Sequence, residues 1–249
     1  MLTAVGLSEI DLSVTALQNM PMMFRSLEEV DWVSEKLRPL LEKRFLEKGF
    51  VPLFWGDAGW VRHFSKTKVE RPSDLKKLKV FVWAGDTHQV AIMQGLGYRP
   101  VALETADILP GLQTGLIEAA AMPPFFALAS QVDTRAKHML ELNWAPMFGA
   151  TVMVKTVWDA IPAEGRHALQ KAAREAGEQM KAKNRAEAQQ SVAAMQKRGL
   201  VVHPVTPEIE VEWRQEAEKA YPKIRGPMAP ADLFDEVEKL LAQYRAGQR

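Results

Sequence analysis

The chain has 249 residues, contains no cysteine and carries a formal net charge of +1. Hydrophobic residues make up 47% and charged residues 25%, the composition of ordinary folded domains. The missing cysteines exclude disulfides, thiolate catalysis and cysteine metal sites. The near-neutral charge gives no reason to expect a nucleic acid partner, and no apolar run approaches the roughly 20 residues of a membrane span.

Apolar spacing along the chain predicts alternating strands and helices, and hence an α/β protein with a largely parallel sheet. Residues 1–24 end in the apolar run ALQNMPMMF at 16–24, which is predicted as a loop rather than an opening strand. An amphipathic helix over 26–48 follows, with Ser26 as its N-cap. A turn at 56–59 and a loop at 144–149 are each predicted to separate two short strands. The remaining predicted strands cover 78–83, 100–103, 116–121 and 200–205, and the remaining short helices cover 86–96, 105–113, 207–220 and 231–244.

The stretch from Ile161 to Gly199 predicts one long helix, with Pro162 suited to its first turn and Gly199 to its C-cap. Its apolar stripe is interrupted over residues 181–190, which are almost all polar or alanine. A helix that is apolar at both ends and polar between them is predicted to contact two separate cores. The alternative is an ordinary surface helix, broken near Asn184.

Sequence motifs for metal binding or catalysis are not found. The chain has five histidines, and no two are three or four residues apart, so no helix displays a paired metal site. No nucleophile elbow occurs, and the GLG at 95–97 follows a predicted helix instead of opening one, unlike a dinucleotide fingerprint. We therefore predict no catalytic residue, no metal and no cofactor.

Four aromatic segments lie mostly at the ends of predicted strands, where open α/β sheets bind ligands. They are WGDAGWVRHF at 55–64, FVW at 81–83, MPPFF at 122–126 and WAPMF at 144–148. Arg62 is the arginine within the first segment, and a guanidinium there can grip a carboxylate through two hydrogen bonds. The alternative interpretation is that the aromatics form a core and Arg62 is a surface charge.

The runs RPSDLKKLKV at 71–80 and GLGYRPVALETADILPGLQTGLIEAAAMPPF at 95–125 resemble the substrate-binding (DctP-type) subunit of tripartite ATP-independent periplasmic (TRAP) transporters. That family carries a proline–x–Asp–Leu–Lys–Gly–Leu–Lys pattern, an alanine–x–proline step and a Leu–Gln–Thr–Gly–hydrophobic–acid pattern. The resemblance runs from about Ala4 to the C-terminus. It implies a two-domain, periplasmic-binding-protein-like α/β fold with a long domain-spanning helix.

The resemblance also implies a function and a location. Members of this family are not enzymes: they capture small organic acids in an interdomain cleft in the periplasm and deliver them to TRAP membrane subunits. The implied domains are 1–59 plus 148–187 (domain I) and 60–147 plus 188–249 (domain II). Members begin with a signal peptide and an opening βαβ portion, and the start MLTAVGLSEIDLS matches neither. We therefore expect a truncated chain whose first domain is N-terminally incomplete.

Residue by residue, the resemblance implies a modified ligand site. Arg62 matches a cleft arginine of the family, whereas Phe81 stands where the family has its main carboxylate-clamping arginine and Met122 where it has an asparagine. These departures predict a monocarboxylate with an apolar part. The predicted ligand-binding residues are Arg62, Phe81, Trp83, Met122, Phe125 and Trp144. Two alternatives remain open here: an α/β enzyme acting on a small organic acid, and a helical interaction module built around 162–198.

Overall fold

The structure, a computed structural model, describes residues 2–247. It contains two compact units that alternate along the sequence. Unit 1 comprises the residues up to Gly59, Pro146–Arg185 and the residues from Ala229 onwards, and unit 2 comprises Trp60–Ala145 and Ala186–Met228. Three long elements, described below, each begin in one unit and end in the other. Within the described range, no helix combines the length and the apolar character that crossing a membrane requires.

Unit 1 is mainly helical. Its elements are β1 (Leu2–Thr3), α1 (Ala4–Ser8), a 3₁₀ segment (Leu12–Leu17), α2 (Leu27–Glu47), the first part of β2 (Phe50–Ser65), the second part of β6 (His138–Val154), α7 (Lys155–Ala160), the first part of α8 (Ala163–Lys197) and α11 (Ala231–Gly247). Helix α2 begins as predicted, because the Ser26 hydroxyl accepts a hydrogen bond from the backbone N–H of Glu29 at 3.3 Å. Val30, Val33 and Phe45 on its apolar stripe are fully buried or nearly so.

Unit 2 is built around a mixed sheet. Its other elements are α3 (Pro72–Leu75), β3 (Lys79–Trp83), α4 (Thr87–Gly95), β4 (Arg99–Leu103), α5 (Ile108–Thr114), β5 (Ala119–Met122), α6 (Pro124–Ala129), β7 (Val201–His203), α9 (Pro207–Glu218) and α10 (Tyr221–Ile224), with 3₁₀ segments at Thr105–Asp107 and Val132–Thr134. The strand order here is β7-β6-β2-β5-β3-β4. Strand β3 runs parallel to β4 and β5, and β6 parallel to β7, whereas β2 runs antiparallel to β5.

Two predicted interruptions are wrong, because β2 and β6 are continuous strands of 16 and 17 residues. The predicted turn at 56–59 contains Gly59 at φ +78°, but its N–H bonds to the Asp57 carboxylate at 2.9 Å and the strand continues. A glycine with positive φ is compatible with a local irregularity within a strand as well as with a turn that reverses the chain. The predicted loop at 144–149 is instead strand, and its residues Ala145 to Gly149 are all buried.

Helix α8 runs without a break from Ala163 to Lys197, so the alternative of a helix broken near Asn184 is wrong. Within unit 1 its Gly177 lies against the side chain of Phe54 on β2. A Cβ built at Gly177 would come within 2.5 Å of the Phe54 ring, closer than real Cβ atoms approach other atoms. The absence of a side chain at this position therefore lets the helix and the strand pack closely.

One expectation about the C-terminal part of the chain is corrected by the structure. Residues 188–249 were assigned wholly to domain II, but the segment from Ala229 onwards belongs to unit 1. Its helix α11 packs on α2, where Arg245 donates to the Glu29 carboxylate at 2.7 and 2.9 Å. At the other end of the chain, the run 16–24 that was predicted as a loop is irregular from Gln18 onwards, and the residues before it form β1, α1 and a 3₁₀ segment, with Leu7, Val14 and Leu17 fully buried.

Candidate ligand-binding site

Arg62 lies on β2 within unit 2, and its guanidinium is held by two side chains of the neighbouring strand β6. One Nη donates to the Glu141 carboxylate at 3.2 Å, and the other donates to the Asn143 side-chain carbonyl at 3.2 Å. The Arg62 side chain is 18% exposed, and that of Glu141 is 52% exposed. A partly buried arginine with so few partners retains N–H groups for another acceptor, since a guanidinium carries five.

On the side of β5 and β3, the neighbours of Arg62 on its face of the sheet are apolar. Met122 is its direct partner across the β2–β5 pair, and residues paired in this way point to the same face. Met122 and Phe81 are both buried in one core cluster of unit 2, which also contains Phe64 from β2. Trp83 packs against that cluster with its ring 4.9 Å from that of Phe81. Four of the predicted residues are therefore brought together: Arg62, Phe81, Trp83 and Met122.

The other two predicted residues lie elsewhere in unit 2. Phe125 is on α6, which follows β5 directly, and its partly buried ring contacts that of Phe126 at 4.9 Å. Trp144 contacts the rings of His63 and Trp213, at 5.2 and 5.6 Å. Because side chains alternate along a strand, His63 and Arg62 point to opposite faces of the sheet. The structure thus places Trp144 on the face opposite to Arg62, and its role as a ligand contact stays a prediction.

His63 is buried on that opposite face, where it stacks on Trp213 with ring centroids 5.3 Å apart. Within residues 2–247, neither of its ring nitrogens has a hydrogen-bond partner. Burial lowers the pKa of His63 from 6.5 to about 4, because the charged imidazolium would lose its hydration. The ring is therefore neutral at pH 7 and packs against both tryptophans.

Sequence reasoning missed Glu141 and Asn143 as partners of Arg62. Their spacing of two residues in a predicted strand puts both on one face, which was a usable signal. The pairing of β6 with β2, which brings them to Arg62, is not readable from local sequence, because 79 residues separate Arg62 from Glu141.

A second charged group, in unit 1, was also missed. Arg185 on α8 donates to both oxygens of Asp31 at 2.8 Å and to Asp57 at 2.5 and 3.2 Å. Burial acts to raise the pKa of Asp31, but the hydrogen bonds and charges of Arg185 and Lys181 outweigh it and lower that pKa. Because the guanidinium is already engaged by two carboxylates, we interpret this group as structural.

Within the part of the chain that the structure describes, no three His, Asp or Glu side chains are grouped so that they hold a metal ion. His138 and His203, on the paired strands β6 and β7, share a hydrogen bond of 2.9 Å between ring nitrogens. Their mutual hydrogen bond accounts for the close approach of these two rings.

The fold is thus a two-unit α/β architecture with long crossing elements, and unit 2 carries an arginine beside apolar side chains. Residues 3–226 match the family described as bacterial extracellular solute-binding protein, family 7 (DctP). The chain belongs to this family. Its proteins are solute-binding receptors rather than enzymes, and the resemblance to TRAP substrate-binding subunits is confirmed.

Individual relatives agree with this assignment. The C4-dicarboxylate-binding periplasmic protein DctP of Rhodobacter capsulatus is 24% identical over 199 residues, which are 79% of this chain and 60% of that protein. The chain thus spans about three-fifths of the length of this curated relative. Among solved structures, a TRAP periplasmic solute-binding protein from Ralstonia eutropha with bound (S)-2-acetolactate has a TM-score of 0.88 at 20% identity, covering 97% of this chain and 78% of that one.

A second solved structure is DctP7 of Bordetella pertussis, an extracytoplasmic solute receptor binding pyroglutamic acid. It has a TM-score of 0.84 at 22% identity and covers 98% of this chain and 78% of that chain. At these identities the two structures establish the fold, and the predicted two-domain, periplasmic-binding-protein-like α/β class is confirmed.

Proposed function

We propose that this protein is an extracytoplasmic solute-binding protein that captures a small organic acid at Arg62 and delivers it to the membrane subunits of a TRAP transporter. Membership of the solute-binding family supports the receptor role and a location in the periplasm. The position of Arg62 supports an organic acid as the ligand, because a guanidinium with free donors is the side chain best suited to bind a carboxylate.

The main support for the proposed class of ligand is the apolar character of Phe81 and Met122 near Arg62. Phe81 and Met122 are both only 4% exposed, and neither offers a hydrogen-bond donor to an anion. Arg62 can therefore bind one carboxylate of the ligand. A second carboxylate placed next to Met122 would lose its hydration without gaining a hydrogen-bond donor. Such a group costs on the order of a few kcal/mol, so we propose a monocarboxylate with an apolar part as the ligand.

The apolar part of the ligand adds affinity in proportion to the area that it buries, at about 25 cal/mol per Å². Trp83 and Phe125 are partly buried aromatic side chains of unit 2 that retain exposed surface for such a contact. We include both in the proposed site, with Trp83 contacting the tail beside Phe81.

Isothermal titration calorimetry tests this proposal with pyroglutamate as a monocarboxylate probe and succinate as a dicarboxylate probe. Arg62→Ala is expected to weaken binding of pyroglutamate by about 10- to 100-fold, since a charge-assisted hydrogen bond contributes roughly 1.5–3 kcal/mol. Arg71→Ala is the matched control, because Arg71 is an exposed arginine of the same unit that pairs with Glu212. It should bind pyroglutamate like the wild type.

The proposal fails if succinate binds tightly and Arg62→Ala leaves that binding unchanged. It fails equally if Arg62→Ala and Arg71→Ala reduce the affinity for pyroglutamate by the same factor, because the effect would then reflect net charge alone.

A further inference from the structure

The guanidinium that we assign to the ligand already holds a carboxylate of the protein. Glu141 accepts a hydrogen bond from Arg62 at 3.2 Å, and Asn143 accepts another at the same distance. Both acceptors come from β6, two residues apart and on the same face of the sheet as Arg62. One acceptor is charged and the other neutral, so the three side chains together have a net charge of zero.

The Glu141 side chain is less enclosed by the protein than the Arg62 side chain. Its side chain is 52% exposed and that of Arg62 is 18% exposed, so the carboxylate faces water while the guanidinium is largely covered. Exposed ion pairs of this kind contribute little to stability, so a ligand carboxylate can displace the Glu141 carboxylate at small cost. The backbone of Glu141 is fixed within β6, however, so its charge stays near Arg62 after the displacement.

We propose that Glu141 is a selectivity residue that makes the Arg62 site prefer monoanionic acids over dianionic ones. This inference rests on the proposed function and deepens it. A monocarboxylate bound to Arg62 in the presence of Glu141 gives one positive and two negative charges, whereas a dicarboxylate gives one positive and three negative charges. The added repulsion between Glu141 and the second carboxylate penalises the dianion specifically.

The size of this penalty follows from Coulomb's law. Two unit charges about 6–8 Å apart, at an effective dielectric constant between that of a protein surface and that of water, repel enough to lower affinity about 3- to 10-fold. The factor depends on ionic strength, because Glu141 is exposed and its charge is screened within roughly a Debye length. Apolar neighbours such as Met122 penalise any second carboxylate irrespective of salt, so the salt dependence separates the two effects.

The test compares the full chain with its Glu141→Gln variant, which keeps the length of the side chain and removes its charge. Calorimetry with succinate and pyroglutamate at low and at physiological ionic strength gives the ratio of the two affinities. We expect Glu141→Gln to shift this ratio toward succinate about 3- to 10-fold at low ionic strength, and by less at higher salt. Glu210→Gln is the matched control, because Glu210 also pairs with an arginine, Arg214, but on the surface helix α9.

The outcomes distinguish this inference from the proposed function. If Arg62→Ala abolishes binding of both probes but Glu141→Gln leaves their affinity ratio unchanged, the proposed function stands and the selectivity role is refuted. If Glu141→Gln weakens both probes alike, Glu141 orients Arg62 and the inference is refuted as well. If Arg62→Ala changes neither probe, the proposed function fails and the inference fails with it.

Discussion

Replacing Arg185 by methionine is expected to destabilise unit 1 strongly. The guanidinium of Arg185 is the cation that contacts Asp57, whose side chain is only 2% exposed, and it also contacts Asp31. Methionine retains most of the side-chain volume but leaves the Asp57 carboxylate buried without a counter-charge. Breaking a buried ion pair in this way costs about 3–5 kcal/mol.

Urea unfolding followed by circular dichroism measures this loss, and it should appear in a thermal scan as a fall in melting temperature on the order of 10 °C. The double variant Asp57→Asn, Arg185→Met supplies the decisive comparison. The substituted asparagine side chain is neutral and its carbonyl still accepts the Gly59 N–H, so most of the penalty should disappear. A double variant as unstable as Arg185→Met alone would refute the reasoning, because the cost would then come from lost packing rather than from an unpaired charge.

Two further predictions concern packing and the proposed site. Gly177→Ala should lower the free energy of unfolding by about 1–2 kcal/mol, because overpacking against Phe54 outweighs the better helix propensity of alanine. The control is Gly247→Ala, whose Cβ would meet nothing within 4 Å and which should leave the stability unchanged. Equal denaturation midpoints for both variants would contradict the close contact. Arg62→Ala should lower the free energy of unfolding by less than about 1 kcal/mol, since its partner Glu141 is exposed; a larger loss in urea would mean that Arg62 is chiefly structural.

The sequence predicted the elements that are specified locally. The cap of α2 at Ser26 and the uninterrupted helix after Pro162 follow from neighbouring residues, and the structure shows both. The course of β2 through Gly59 was not predicted, because positive φ at a glycine suits a turn and a strand irregularity equally well. The strand continues past Gly59 because residues 62–65 pair with β5, which is distant in the sequence.

The candidate site likewise has features that the sequence predicted and features that only the structure shows. The identity of Arg62 and the substitutions at Phe81 and Met122 are visible in the sequence through their motifs. The partners of Arg62 depend on which strands are neighbours, and the face occupied by Trp144 depends on alternation within a strand that local signals had split in two. Residue types were thus predictable here, whereas their grouping required the pairing of β2 with distant strands.

The stability of the folded chain is expected to depend on pH through the protonation of His63. Its pKa is about 4 in the folded chain and about 6.5 in the unfolded chain, so the unfolded state binds a proton first as the pH falls. The associated stability is fully present above pH 6.5 and is lost as the pH falls from 6.5 toward 4. A difference of this size corresponds to about 3 kcal/mol, at about 1.36 kcal/mol for each pKa unit.

The variant His63→Phe retains an aromatic ring against Trp144 and Trp213 and cannot be protonated. Urea unfolding at several pH values between about 4.5 and 7 should show a markedly flatter dependence for this variant than for the wild type. Carboxylates whose pKa values are lowered, such as Asp31, affect both chains equally and cancel in the difference. The exposed His167→Gln is the control and should retain the wild-type slope. Identical slopes for wild type and His63→Phe would show that His63 is hydrated or paired in solution, and the inference from its burial would be wrong.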